Sequence, residues 1–424
     1  MKTAAQPRLF RSPRPLAWHE RWAKKTLLSQ LAMLRDGELR IVDGSATHVF
    51  GRFSDDCPLR ATIVVRDVGV YARLIFGGSI AAGETFEAGD WTCDDLPALC
   101  RMVLRNAHAF DGMDGLPAKL AAWGHRVGHF FRRNSPLRSR KNIAAHYDLG
   151  NDFFQEILDP TLMYSCALFP HEHANLEEAS IAKLDYVCRK LELGPGDHLL
   201  EIGTGWGGLA CFAARHYGCK VTTTTISRRQ FEFAQKRVLD EGLGERVTVL
   251  CEDYRNLTGV YDKLVSIEMI EAVGEAYLDA YLQCCEKRLR PQGMMLLQTI
   301  TMTDQHFPRY RKAVDFIQRY IFPGGFLPSV GTLAERLARC TDLRFYHLDD
   351  LGPHYAATLQ RWRRNLLERA GHLVQLGYPE ALIRRFDYYF AYCESGFHER
   401  RTGLVQLLLT RPLCRREPIL AFGK

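Results

Sequence analysis

Apolar positions follow two different rhythms along this chain. Near the start, Trp18, Trp22, Leu27, Leu28, Leu31 and Leu34 fall close to one face of a 3.6-residue period, which predicts a helix. Strand-like runs follow at about Leu39–Asp43, Ala46–Phe50 and Ala61–Asp67, broken by Gly44, Gly51 and the turn Asp55-Asp56-Cys57-Pro58. Helical spacing returns around Val68–Phe76 and Leu96–Asn106, so residues 17–120 read as a small α+β domain. From about residue 142 strands and helices alternate. Apolar strands fall at His198–Ile202, Lys220–Thr225, Val247–Cys251, Lys263–Ile267 and Met294–Ile300, with helices near Leu209–Tyr217, Arg228–Glu241 and Glu275–Leu289 between them. Such alternation predicts a mostly parallel sheet with helices on both faces, an α/β domain over residues 142–424. A late strand, Val405–Leu409, follows two helices near Leu359–Arg369 and Pro379–Cys393.

Composition adds bounds. With 424 residues, 46% hydrophobic and 25% charged, the chain is neither collagen-like, nor a coiled-coil rod, nor wholly disordered. No apolar run approaches the roughly 18 residues of a transmembrane helix. Residues 1–22 carry Arg and Pro but no apolar core of a secretory signal. Thirteen cysteines without a C-x-x-C pair or a zinc-type spacing suit a reduced, cytoplasmic protein with no metal site. The net charge of +7 favours an anionic partner. Its most telling part is the basic linker at 121–141, where His125, Arg126, His129, Arg132, Arg133, Arg138, Arg140 and Lys141 mix with Phe130 and Phe131. That mixture suits an anionic membrane surface, and equally a solvated linker; nucleic acid is not expected.

The strongest local signal is Leu199-Leu200-Glu201-Ile202-Gly203-Thr204-Gly205-Trp206-Gly207-Gly208, a strand running into glycines and then a helix. A dinucleotide site would want an acid at the end of the next strand, but that strand ends in Thr222-Thr223-Thr224-Thr225-Ile226. Glu201 before the first glycine instead resembles the acidic-x-G-x-G-x-G loop of class I S-adenosylmethionine-dependent methyltransferases.

Further motifs make the resemblance specific. His146-Tyr147-Asp148-Leu149-Gly150-Asn151-Asp152-Phe153-Phe154 and Met163-Tyr164-Ser165-Cys166-Ala167 resemble the opening segment of the cyclopropane fatty acid synthases. So do Thr225-Ile226-Ser227 with Gln230, Asp253-Tyr254-Arg255, and Tyr320-Ile321-Phe322-Pro323-Gly324-Gly325-Phe326-Leu327-Pro328-Ser329. The likeness runs from about residue 142 to 412 and is weaker over 60–105. It implies a Rossmann-like, seven-stranded methyltransferase domain behind a lipid-engaging amino-terminal domain. It also implies a peripheral enzyme at the inner face of the membrane, with room for a homodimer.

The resemblance further implies the chemistry. The methyl group of S-adenosylmethionine goes to a cis double bond of an unsaturated phospholipid acyl chain, and the carbocation closes to a cyclopropane after deprotonation by bound bicarbonate. Such a site excludes water and surrounds the cation with aromatic faces, for which Tyr164, Phe169, Tyr254, Tyr320, Phe322, Phe326 and Tyr355 are candidates. Carried over residue by residue, Glu271 hydrogen-bonds bicarbonate, Cys166 and Ile300 lie at its backbone contacts, and Tyr355 offers a hydroxyl. Two positions, Ala272 and Gln298, depart from the bacterial pattern of histidines and are similar to the plant cyclopropane synthases; a glutamine donates an N–H but cannot take a proton. For the cofactor the candidates are Glu201, Gly203, Gly205, Thr225, Ile226, Gln230, Asp253 and Tyr254, with Tyr164 and Ser165 closing over its methionine end. Three rivals stand beside this reading: a methyl- or methylene-branching lipid methyltransferase, a small-molecule amine N-methyltransferase, and a lipid-binding protein on an inactive fold.

Overall fold

Two separate sheets organise the chain, whose computed structural model describes residues 17–107 and 150–419. The basic linker at 121–141 and the His146–Leu149 part of the opening segment lie outside the described residues. The first sheet has the order β2-β1-β3-β4, with β1 at Gly37–Asp43, β2 at Ala46–Arg52, β3 at Arg60–Val65 and β4 at Trp91–Cys93. Strands β1 and β2 form an antiparallel hairpin, and β1 runs parallel to β3. Residues of β1 alternate between buried and more exposed, as expected of a strand with one face on a core. Against this sheet the sequence supplies helices Trp18–Leu31, Val70–Glu87 and Leu96–Arg105. The last starts where the Asp95 side chain accepts from the Ala98 N–H at 2.9 Å, with Pro97 in its first turn.

The compact unit built on this sheet also takes in residues 314–316 and 366–399, so the second domain is not the unbroken 142–424 that the alternation suggests. The reason lies in the helix Glu380–His398. Its buried Tyr388 packs on Phe86, with ring centroids 5.8 Å apart, and Arg385 pairs with Glu87 through two hydrogen bonds of 2.9 and 2.6 Å. Glu399, just beyond it, accepts from both Arg101 and Arg105, at 2.7 and 2.8 Å. A helical stripe announces that one face is buried, but not against which core.

The second unit carries a seven-stranded sheet of order β10-β11-β9-β8-β5-β6-β7. Its strands are β5 His198–Ile202, β6 Lys220–Thr224, β7 Val247–Leu250, β8 Tyr261–Ile267, β9 Leu289–Met302, β10 Arg344–Asp350 and β11 Thr402–Thr410. Neighbours from β7 to β9 pair in parallel, and β11 is antiparallel to both β9 and β10. Successive residues face opposite cores: Leu199, Val265 and Leu296 join one apolar cluster while Leu200, Leu264 and Leu297 join the other. The strand order reverses between β5 and β8, so a crevice opens beyond their carboxyl ends. Strands β4 and β10, and the helices Asn151–Ile157, Leu176–Lys190 and Val330–Cys340, are elements that the apolar pattern does not announce.

Candidate active site

At the carboxyl end of β5 the chain turns through Gly203, Thr204 and Gly205 into the helix Gly208–His216. The N–H groups of Gly203 and Thr204 both donate to the Thr224 carbonyl, at 3.0 and 3.1 Å, which ties the loop to the end of β6. Gly205 has φ +53°, and a Cβ there would meet nothing within 4 Å, so open space lies at the tip of the loop. At Gly208 the reason for glycine is different: a Cβ would sit 2.6 Å from the Thr161 carbonyl oxygen. Glu201 does not face outward. Its buried carboxyl accepts from the Thr223 hydroxyl at 2.6 Å, which in turn meets the Thr204 hydroxyl at 2.7 Å, and burial pushes it up to about 8. Its work here is to brace the glycine loop.

Further candidates follow along the same edge. After β6, the Thr225 hydroxyl donates to the Gln230 side chain at 2.9 Å and accepts from the Ser227 N–H, with Ile226 half-buried between them. Beyond β7, Asp253 accepts three bonds from Arg255, from its N–H and its guanidinium, at 2.8 to 3.0 Å. Tyr254 packs edge-on to Tyr281 in the core, with centroids 5.2 Å apart. The glycine loop, Thr225 and Gln230 suit S-adenosylmethionine, because the open space at Gly205 lies where a strand-loop-helix turn admits a cofactor.

A second cluster forms beyond β8, around a residue that the motif reading passed over. Glu268 accepts the Cys166 backbone N–H at 2.9 Å and the Gln298 amide at 2.7 Å on one oxygen, and the Tyr355 hydroxyl at 2.6 Å on the other. Gln298, on β9, is held in turn by the Gln406 amide on β11 at 2.8 Å. The Gln298 carbonyl is thereby occupied, which turns its N–H toward Glu268. Burial pushes the Glu268 carboxyl up, against the opposing pull of Tyr355, the Cys166 N–H, Gln298 and Lys183. Its backbone has φ +50°, a left-handed conformation uncommon outside glycine. Met269, the next residue, would lie 3.3 Å from a Cβ on Gly203, so this acid adjoins the cofactor loop.

Glu271 lies one turn on. One of its oxygens accepts from the Thr299 hydroxyl at 3.0 Å and the Ile300 N–H at 2.6 Å; the other is buried with no hydrogen-bond partner among the described residues. Burial, and then the charge of Glu268, push Glu271 up to about 8. The Cys166 thiol donates to the Ala167 carbonyl, and burial followed by the Glu268 charge lifts it well above its usual range. A protonated, buried thiol is no nucleophile. The family resemblance assigns the Cys166 backbone, Gln298 and Tyr355 to bicarbonate, but in the structure all three converge on Glu268. Since the Cys166 N–H and the Tyr355 O–H each carry one proton, a separate anion beside that carboxylate would find, of these three groups, the second Gln298 N–H alone, which does not fit a bound bicarbonate.

The surroundings are buried and aromatic. Lys183, fully buried on the helix Leu176–Lys190, donates to Ser165 at 2.8 Å; burial lowers its pKa while Glu268 and its neighbours hold it up. Thr358 and His354, on the helix Gly352–Glu368, accept from the N–H groups of Ala167 and Phe169, fixing the Tyr164–Phe169 segment against Tyr355. Trp362 joins Tyr164 and Tyr355, at centroid distances of 5.0 and 6.2 Å, and Phe154 meets Tyr164 at 5.1 Å. Phe326 packs instead on Phe307 in the core, although its N–H reaches the Glu271 carbonyl. Trp362, Phe154, Lys183 and Gln406 are additions to the candidates. Gln406 alone carries a visible signal, a polar residue within the apolar run Leu404–Leu409.

Comparison with known proteins agrees with this architecture. Residues 134–407 match the family model described as mycolic acid cyclopropane synthetase. The chain is 34% identical over 417 residues to the tuberculostearic acid methyltransferase of Mycobacterium tuberculosis, covering 96% of this chain and 95% of that protein. It is 36% identical over 353 residues to the cyclopropane-fatty-acyl-phospholipid synthase of Escherichia coli, covering 83% and 88%. Among solved structures, a mycolic acid cyclopropane synthase complexed with SAH and CTAB superposes with a TM-score of 0.60 at 33% identity, over 64% of this chain and 98% of that one. The chain belongs to the cyclopropane synthase family, and is a class I methyltransferase that takes its methyl group from S-adenosylmethionine.

Proposed function

We propose that the chain methylates the cis double bond of an unsaturated phospholipid acyl chain and closes a cyclopropane ring across it. The observation that carries this reading is the acid pocket beside the glycine loop, in which a carboxylate held by three donors lies within a wall of aromatic rings. An alkene is a weak nucleophile, and methylating it leaves a cation. Ring faces of Tyr164, Tyr355 and Trp362 would lower the energy of that cation, and the exclusion of water would keep it from hydration. Bound S-adenosylmethionine supplies the electrophilic methyl group; the chain's residues orient it, exclude water and receive the proton.

The first unit supports a lipid substrate. Trp18 and Trp22 are 75% and 50% exposed, and Trp22 stacks on the exposed Phe76 with centroids 6.2 Å apart. Aromatic side chains of this kind suit a headgroup interface, which supports a reading of the enzyme as working at a membrane surface. Among the described residues no helix is long and apolar enough to cross a membrane. A small amine substrate would need none of this surface. A second reading, methyl or methylene branching without a ring, is favoured by one observation: the relative matched over 96% of the chain is named a methyltransferase, not a cyclopropane synthase.

The test is expression in a host lacking the activity, followed by lipid mass spectrometry and NMR. The proposal expects unsaturated acyl chains to gain one CH2 while their vinylic protons disappear and cyclopropyl protons appear. A methylene-branched product would show new alkene protons instead. Unchanged lipids in cells that make folded, cofactor-binding protein would remove the lipid reading.

A further inference from the structure

We propose that the Glu268 carboxylate is itself the general base of the reaction, standing where the family resemblance calls for a bound bicarbonate. The proposal rests on the reading of the substrate as an alkene given above. Three chain segments far apart in sequence each contribute one donor to this side chain: the Cys166 N–H at 2.9 Å, the Gln298 amide at 2.7 Å and the Tyr355 hydroxyl at 2.6 Å. A carboxylate and a bicarbonate present the same planar pair of anionic oxygens, so a pocket built for one holds the other. Here the pair comes tethered to the chain, and its donors are already in use.

Three further observations point the same way. Gln298 can donate to an anion but cannot remove a proton, and Gln406 fixes it as a donor at 2.8 Å. Glu268 holds a left-handed backbone conformation, φ +50°, which persists in a non-glycine residue only where the surroundings over-determine it, and clusters at functional sites. Its neighbour Glu271 accepts from Thr299 and Ile300 on one oxygen, leaves the other without a partner among the described residues, and is pushed up to about 8. Of the two acids, Glu268 is therefore the one whose two oxygens both meet donors, the arrangement that favours a carboxylate anion.

The step balances as follows. The alkene's π pair forms a bond to the sulfonium methyl carbon, and the breaking S–C pair stays on sulfur, leaving a neutral thioether and a cationic carbon on the acyl chain. Glu268 then takes one proton from the new methyl group. The C–H pair so released forms the third C–C bond of the ring and fills the cationic carbon, while Glu268 becomes a neutral carboxylic acid. That proton passes to water when the product leaves.

The experiment measures turnover by the full-length protein on vesicles of a cis-monounsaturated phosphatidylglycerol, in carbonate-free buffer and with added bicarbonate. Wild-type turnover should be the same in both. Glu268→Gln should lose about 10²–10⁴-fold in kcat, the range for a positioned proton-transfer group, while its affinity for S-adenosylhomocysteine by calorimetry stays unchanged. Glu268→Gly relieves the backbone and empties the pocket, so its turnover should return when bicarbonate or formate is added. A wild-type rate that collapses without carbonate and recovers with it overturns the proposal and leaves the lipid reading standing. So does a Glu268→Gln protein that turns over like the wild type. Should Glu268→Gln fail to fold, the wild-type and Glu268→Gly arms still decide. No lipid product from wild type under either condition sinks the substrate reading itself.

Discussion

Glu268 and Glu271 stand three residues apart and meet opposite surroundings. Glu268 draws donors from three segments, whereas Glu271 draws two on a single oxygen and leaves the other buried and unpartnered among the described residues. Burial, and then the charge of Glu268, push Glu271 from about 4.5 to about 8. In that window the folded chain keeps a proton that the unfolded chain has released. Stability should therefore fall as pH rises across it, by on the order of a few kcal/mol, and be flat above it. Glu271→Gln, which mimics the neutral acid, should make the profile in urea unfolding shallower between about pH 5 and 8, the remaining slope coming from Glu201, which burial also pushes up to about 8. A wild-type profile that is level, or a variant that slopes as steeply, would contradict the assignment. Cys166 gives a second prediction at this scale. Its backbone N–H holds Glu268 while its thiol only meets the Ala167 carbonyl, so Cys166→Ala should keep most of the activity. Tyr355→Phe removes a donor to a charged group, worth about 1.5–3 kcal/mol, and should slow turnover by roughly 10–100-fold. Steady-state kinetics on the two variants checks the order; the reverse order would make the thiol chemical. The family resemblance pointed to Cys166, Glu271, Gln298, Ile300 and Tyr355, and the structure gathers them around the two acids. Glu268, three residues before Glu271, gives no such sign, because a positive φ at a non-glycine residue leaves no mark in a sequence.

Between residues and domains, the antiparallel pairing of β9 with β11 does work that neither strand could do alone. Its register sets Gln298 opposite Gln406, both fully buried within apolar runs. A buried amide is costly unless paired, and this contact gives the Gln298 side-chain oxygen its donor while aiming one Gln298 N–H at Glu268; the Gln406 side-chain oxygen stays buried with no partner among the described residues. Gln406→Leu should therefore leave the Gln298 carbonyl without its donor and cost about 1–3 kcal/mol of stability. It also frees that amide to rotate its oxygen toward Glu268, so kcat should fall while cofactor affinity holds. Thermal unfolding and kinetics together check this, and a variant with normal stability and normal kcat would show that the pair is only filler. The strands flanking the glycine loop were readable because buried parallel strands appear as short apolar runs. Strand β10 was not, since Arg344–Asp350 lies at the sheet edge and carries charge on a face that needs no apolar cover. The helix Leu176–Lys190 hid its role for a related reason. Two of its buried residues are lysines, Lys183 and Lys190, whose partners Ser165 and Asp349 come from elsewhere in the chain.

At the scale of the whole molecule, the division of the chain is what sequence rhythm conveyed least. A helix stripe at Glu380–His398 looks the same whether it covers the large sheet or returns to the small one. In the structure, residues 366–399 complete the first unit: Tyr388 packs on Phe86, Arg385 pairs with Glu87, and Glu399 binds Arg101 and Arg105 together. Glu399 is held below the usual carboxylate range by these two guanidiniums, although burial works against them. The helices Val70–Glu87 and Leu96–Arg105 thus depend on a partner nearly 300 residues away in sequence, as the spacing of 298 between Arg101 and Glu399 measures. A fragment of residues 1–140 would carry all four strands of the small sheet but expose the faces of both helices. It should show no cooperative thermal transition by circular dichroism, while the same fragment fused to residues 366–399 through a flexible linker should regain one. Glu399→Ala in the fusion should then lower its midpoint, because two part-buried guanidiniums lose their shared acceptor. A fragment of residues 1–140 that unfolds cooperatively by itself would mean that the returning helix merely covers a domain already complete.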